Sequence, residues 1–197
     1  MWVALAISAA VMAMSGVAAI AGPRIVEKTE YYEISGRTGQ ELLREMSRKG
    51  PRHGFMTKAV AQTRFDHRFL GDMVHSGGVC RNVGGGYSLE ITYIYPRPRE
   101  KLSRDLARRW KVFQADNLRH EREHGRIAKA MARKLDRLVS RFSMKDGPSC
   151  RKAAARLSRE VGVIADRALA EQLAFDEREH RMGGAAEKSF AVLLSRN

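Results

Sequence analysis

SRDLARRWKVFQADNLRHEREHGRIAKAMARKLDRLVSRF, residues 103–142, carries large apolar and aromatic side chains at every third or fourth position. From Leu102 the series runs through Leu106, Trp110, Phe113, Asn117, His120, His124, Ile127, Met131, Leu135, Leu138 and Phe142 without losing step. Such stepping is one face of a single long helix, and the opposite face is crowded with Arg and Lys. Lys145-Asp146-Gly147-Pro148 halts it. A second helix is expected through Leu157, Val161, Ile164 and Ala168 towards Phe175 and His180.

The centre of that face reads His120-Glu121-Arg122-Glu123-His124, an H-E-x-x-H sequence. Four residues are slightly more than one helical turn, so both imidazoles leave the same side, separated by a rise of about 6 Å. From there both can reach one Zn²⁺ at about 2.0–2.1 Å. Glu121 lies beside the first ligand, in place to take a proton from a water activated by the ion. The same five residues also fit the reversed pattern H-x-x-E-H, which puts Glu123 in the base position. The two carboxylates differ by about 200° around the helix, so they cannot face one ion equally.

A third donor has to come from elsewhere. His180 is the expected one, with Leu169, Leu173 and Asp176 on its face of the second helix. Asp176-Glu177-Arg178-Glu179-His180 repeats the first motif with Asp in place of the leading His. Asp176 is therefore a second possible donor, or a carboxylate that orients one. His53, His67 and His75 have no spacing partners and are expected in loops or on strand surfaces.

The front half has a different texture. Glu30–Ser35, Ala59–Leu70 and Tyr87–Tyr95 are expected strands; in the last, Tyr87, Leu89, Ile91, Tyr93 and Tyr95 alternate with smaller or polar residues. Thr38-Gly39-Gln40-Glu41 forms a capping box that opens a short helix, closed by Gly50-Pro51. Gly84-Gly85-Gly86 is expected to be a flexible turn.

The chain holds 36 Lys and Arg against 22 Asp and Glu, a formal charge of +14, and 44% of its 197 residues are hydrophobic. That composition excludes collagen-like, low-complexity and multi-span membrane classes and suits one globular domain. The positive field favours anionic polymers as partners, cell-envelope polymers included. Met1–Ala21 is apolar, uncharged and ends in Ala19-Ile20-Ala21, an A-x-A cleavage pattern. It is expected to be a signal peptide of residues 1–21, or else an N-terminal anchor, ahead of a single domain at 22–197. The expected destination is the periplasm or the exterior. Two cysteines in an exported chain suggest a Cys80–Cys150 disulfide.

Several of these features together resemble the bacterial family of predicted secreted zinc-dependent proteases, filed as a domain of unknown function. They are Tyr32-Glu33-Ile34-Ser35-Gly36, the Gly50-Pro51 break, Cys80 before a strand ending at Pro96, and Trp110 and Phe113 leading into Leu118–His124. Cys150, Phe175-Asp176 and a later Gly-Ala segment complete the set. The resemblance implies an H-E-x-x-H metallopeptidase in which His120 and His124 bind zinc and Glu121 is the base, the forward reading of the motif. In the late segment the family's Tyr-Asp, Thr and His-Gly become Phe175-Asp176, Glu179 and His180-Arg181-Met182-Gly183.

The resulting expectation is an α+β fold: a small antiparallel sheet packed on two long helices, with a zincin-like active-site helix. Zn²⁺ would sit on His120, His124 and His180, Glu121 would act as general base, and an edge strand such as Tyr87–Tyr95 would align a peptide or protein substrate. The competing expectation is a non-enzymatic, basic envelope-binding protein with a structural metal, using Arg97, Arg99, Lys101, Arg104, Arg108 and Arg109. No specific nucleic-acid motif and no membrane span in the mature chain are expected.

Overall fold

The structure, a computed structural model, describes residues 22–53 and 57–195, so the leader expected at 1–21 lies outside the described residues. The first strand, β1 (Arg24–Ile34), is followed by α1 (Gly39–Lys49) and a minimal hairpin of β2 (Arg52–His53) and β3 (Thr57–Lys58). Next come the long strands β4 (Gln62–Ser76) and β5 (Val79–Pro98), and the 38-residue helix α2 (Arg104–Arg141). After it come β6 (Ser143–Lys145), α3 (Arg151–His180) and α4 (Ala185–Leu194).

The fold is α+β, and the sheet order is β1-β5-β4 with β6 on the foot of β5. The expected antiparallel sheet is mixed: β4 and β6 pair antiparallel with β5, whereas β1 runs parallel to it, from Arg24 opposite Ser88 to Ile34 opposite Pro98. The chain reverses twice on its way from β1 to β5, so β4 is antiparallel to β5 and β5 regains the direction of β1. Side-chain alternation reports which face a residue occupies, not strand direction.

A second correction follows. Tyr87–Tyr95 lies in the central strand, its hydrogen bonds used by β1 on one side and β4 on the other, so it has no free edge to offer a peptide. A third concerns Gly84-Gly85-Gly86, which lie within β5. Gly84 (φ +66°) and Gly71 (φ +86°) flank the register shift between Leu70 and Asp72, where positive φ suits glycine and lets the ladder bulge. The actual β4–β5 turn is Gly77-Gly78, both at positive φ.

The local signals at the helix starts hold. Thr38 Oγ1 accepts the Glu41 N–H at 3.2 Å and Glu41 reaches back to the Arg37 N–H. Ser103 Oγ caps α2 by accepting the Leu106 N–H. The helix α2 lies across the sheet, with Ala128, Ala132 and Leu135 on Tyr87, Leu89, Ile91, Tyr93 and Tyr95. The two layers meet closely at Gly125, where an added Cβ would fall 2.0 Å from the Tyr93 hydroxyl. Its other end packs Leu106 and Phe113 with Ile34, Leu42, Met46 and Leu193, joining α1 and α4 to the core.

Cys80 and Cys150 form the expected disulfide, which ties the start of β5 to the start of α3. Closing a loop of 70 residues stabilises the fold by about 4 kcal/mol on the chain-entropy argument. Asp146 accepts the Gly147 and Ala153 N–H groups at the same corner, and these bonds hold its carboxyl below the usual carboxylate range. Among the described residues, no helix is long and apolar enough to cross a membrane.

Candidate metal centre

The helix α2 presents His120 and His124 to α3, and α3 answers with Gln172, Asp176 and His180. His120 Nε2 lies 3.0 Å from His124 Nε2, and Asp176 Oδ1 lies 3.0 Å from His124 Nε2 and 3.3 Å from His120 Nε2. Donors held about 2.0–2.1 Å from one tetrahedral ion stand roughly 3.3 Å apart. These three atoms therefore have close to the spacing that a shared cation requires.

Protonation sharpens the point. Gln172 Nε2 donates to the His124 carbonyl at 3.1 Å, which orients the amide and leaves its Oε1 against His124 Nδ1. An amide oxygen only accepts, so Nδ1 carries the hydrogen and Nε2 carries a lone pair. That lone pair faces the Asp176 carboxylate, itself an acceptor. Two acceptors at 3.0 Å repel unless a proton or a metal ion lies between them. Gln172 thus fixes the orientation and tautomer of the His124 ring, the kind of partner a metal-ligating histidine requires.

The surroundings are dry. His120 and His124 keep 12% and 14% of their side-chain exposure, and the Phe175 ring packs on both, with centroids at 4.9 and 5.2 Å. Burial, with His124 alongside, pushes the His120 imidazole down to about 4, so it is neutral at pH 7 and free to ligate. His120 Nδ1 is buried without a hydrogen bond; the Glu179 carboxylate stands 3.8 Å away.

His180 is exposed and sits at the rim. It offers one ring nitrogen within 4.8 Å of donor atoms on His120 and Asp176. Two overlapping groupings result: His120, His124 and Asp176, with donor atoms 3.0–3.3 Å apart, and His120, Asp176 and His180, with donor atoms all within 4.8 Å of one another.

Glu121 and Glu123 part company in the way their angular separation predicts. Glu121 is buried at 6% exposure, and the Thr63 hydroxyl of β4 lies 2.6 Å from its Oε2 and 3.1 Å from its own carbonyl. Burial pushes its carboxyl above the ordinary range, and the Thr63 hydroxyl opposes that shift. Glu123 points outward to Arg126 at 2.8 Å, which holds its carboxyl low.

The remaining histidines stay apart. His67 stacks on Tyr87 at 5.8 Å and His75 pairs opposite Cys80, both on β4, while His53 lies in β2. Of the six basic residues proposed for polymer docking, Arg108 and Arg109 are held by Asp105. Arg109 also donates to the carbonyls of Leu193 and Ser195.

Sequence reading missed Thr63 and Gln172. Thr63 carries no signal in a strand pattern. Gln172 was legible in principle, because it stands four residues before Asp176 and eight before His180, on their face.

The chain belongs to the family described as "Bacterial protein of unknown function (DUF922)", which matches residues 29–184. No curated protein and no solved structure matches it.

Proposed function

We propose that this protein is a zinc-dependent hydrolase of peptide bonds, exported from the cytoplasm, with its metal on His120, His124 and Asp176. The observation that carries this reading is the mutual 3.0–3.3 Å spacing of His120 Nε2, His124 Nε2 and Asp176 Oδ1. Two imidazoles and a carboxylate are a donor set that suits Zn²⁺. A zinc ion in such a site acts as a Lewis acid on the scissile carbonyl and lowers the pKa of an attacking water.

The chain's own groups do the rest. Gln172 fixes the His124 ring and its tautomer. Thr63 fixes Glu121. A buried carboxyl with a raised pKa is a better proton acceptor than an ordinary glutamate. Glu121 takes the proton from water as the carbonyl is attacked, then returns it to the departing amine nitrogen. Glu123, committed to Arg126, takes no part.

The test uses the purified full chain loaded with zinc and a casein-like substrate. Glu121→Gln is expected to lower turnover by about 10²–10⁴-fold while one zinc per chain is retained. Full activity in that variant would overturn the mechanism, and a chain that never takes up stoichiometric zinc would overturn the reading.

One observation supports a second reading. His180 stands close enough to add a fourth protein donor. A site closed by four protein donors is structural rather than catalytic. In that case zinc would raise thermal stability, with no hydrolysis of any peptide.

A further inference from the structure

On the other flank of α2, away from α3, the helix overhangs the face shared by β1 and β5. A cleft of about 340 Å³ opens there, at the small end of ligand pockets, with Tyr31, Tyr93, Tyr95, Arg122, Lys129 and Glu27 among its walls. Glu27 is consumed internally: it accepts from the Tyr93 hydroxyl at 2.7 Å and from Lys129 at 2.9 Å.

Arg122 is not consumed. It is exposed and makes no salt-bridge or hydrogen-bond contact with the described residues, although its charge helps hold the Glu27 carboxyl low from a distance. Its neighbours Arg119 and Arg126, on the same helix, are both engaged by carboxylates.

The aromatic side of the cleft is equally specific. Tyr95 is 1% exposed as a residue and its hydroxyl bonds to no described residue, but that oxygen is not one of the buried atoms lacking a partner, so it is open to the cleft. A phenol there can donate to or accept from water or a ligand. Tyr31 is held between the Arg97 guanidinium, 5.2 Å above its ring, and Tyr95 at 6.3 Å. It nevertheless remains 51% exposed, an aromatic surface positioned by these two neighbours.

An unpaired guanidinium, an unpaired phenol and an ordered aromatic face are complementary to a ligand with a carboxylate, hydroxyls and a ring carrying C–H faces. From these groups we infer that the cleft binds an acidic saccharide, a pyranose ring bearing a carboxylate, as part of an anionic polymer. The formal charge of +14 brings such polymers to the surface, and the cleft selects among them. The site is separate from the metal centre and does not depend on it.

The experiment is a calorimetric titration of the full chain with a galacturonic acid trisaccharide at 0.15 M salt, beside the neutral galactose trisaccharide. Binding of the acidic sugar is expected to be about tenfold tighter than the neutral one, and unchanged after chelation with EDTA. Arg122→Ala is expected to weaken it about tenfold and Tyr31→Ala about fivefold. Both side chains are exposed, so the fold tolerates the changes, and Arg126→Ala on the far flank serves as the control. Equal weakening by Arg126→Ala would reduce the effect to diffuse charge and overturn the proposal. So would loss of binding on chelation, or equal affinity for a glutamate tripeptide.

Discussion

Two five-residue segments of this chain are nearly the same, His120-Glu121-Arg122-Glu123-His124 in α2 and Asp176-Glu177-Arg178-Glu179-His180 in α3, and the fold uses them differently. Their first and fifth residues converge on one point from opposite helices. Their second residues diverge: Glu121 is buried on Thr63, whereas Glu177 is exposed. The cause is the layer each helix occupies. The helix α2 is sandwiched between the sheet and α3, so a residue one step from its ligand face is driven into β4. In α3 only Ala153 and Phe175 are buried, so the equivalent step ends in solvent. Identical spacing lets both helices present imidazole and carboxylate groups to one point, but only the inner one buries the carboxylate beside them.

The largest effect expected from this comparison is on metal affinity. His120→Ala or His124→Ala should lower zinc affinity at least about 10³-fold, Asp176→Ala about 10²-fold and His180→Ala less than about tenfold. Competition with a chromophoric chelator measures all four, and Glu177→Ala is the matched control, expected to be silent. Should His180→Ala cost as much as Asp176→Ala, the two arms would contribute two donors each and the site would be closed.

Next in size is a pair of glycines. Gly125→Ala in α2 drives a methyl group against the Tyr93 ring and should cost about 1–3 kcal/mol in urea unfolding. Gly162→Ala in α3 meets nothing within 4 Å and should instead stabilise by about 0.5–1 kcal/mol. Opposite signs would confirm the inner and outer layers; equal costs would break the distinction.

The smallest effect separates the two glutamates by pH. Burial raises the folded-state pKa of Glu121 above its unfolded value of about 4.5. A raised carboxyl contributes stability that is present below the unfolded pKa and lost as pH rises through the folded one. In zinc-free protein, Glu121→Gln should therefore raise Tm at pH 7 and leave it unchanged at pH 4. Glu177→Gln should do neither, because that carboxylate is already in water.

Much of this was legible in local sequence. The apolar stepping from Leu102 to Phe142 traced α2 (Arg104–Arg141) to within two residues at either end, because a 3.6-residue period is a property of consecutive positions. His120, Glu121 and His124 followed from the same angular arithmetic, and Cys80 with Cys150 from parity. What escaped depends on pairing between distant segments. Periodicity in Tyr87–Tyr95 shows a strand with one buried face, yet it cannot say that β1 arrives parallel and leaves it central. That Asp176 lies against both imidazoles of α2, with His180 also in reach, is visible only in the packing of α3 on α2. The helix α4 gave no periodic signal long enough to read, although Leu193 is wholly buried in it.

The covalent link at Cys150 has a mechanical consequence for the helix it precedes. That helix is riveted at its first turn and has a single deep anchor, Phe175, some six turns later. Beyond Phe175 the chain returns to the core through α4, whose Leu193 is wholly buried, so the donor atoms lie on a span fastened at both ends. An ion captured there would brace a strut that is already seated.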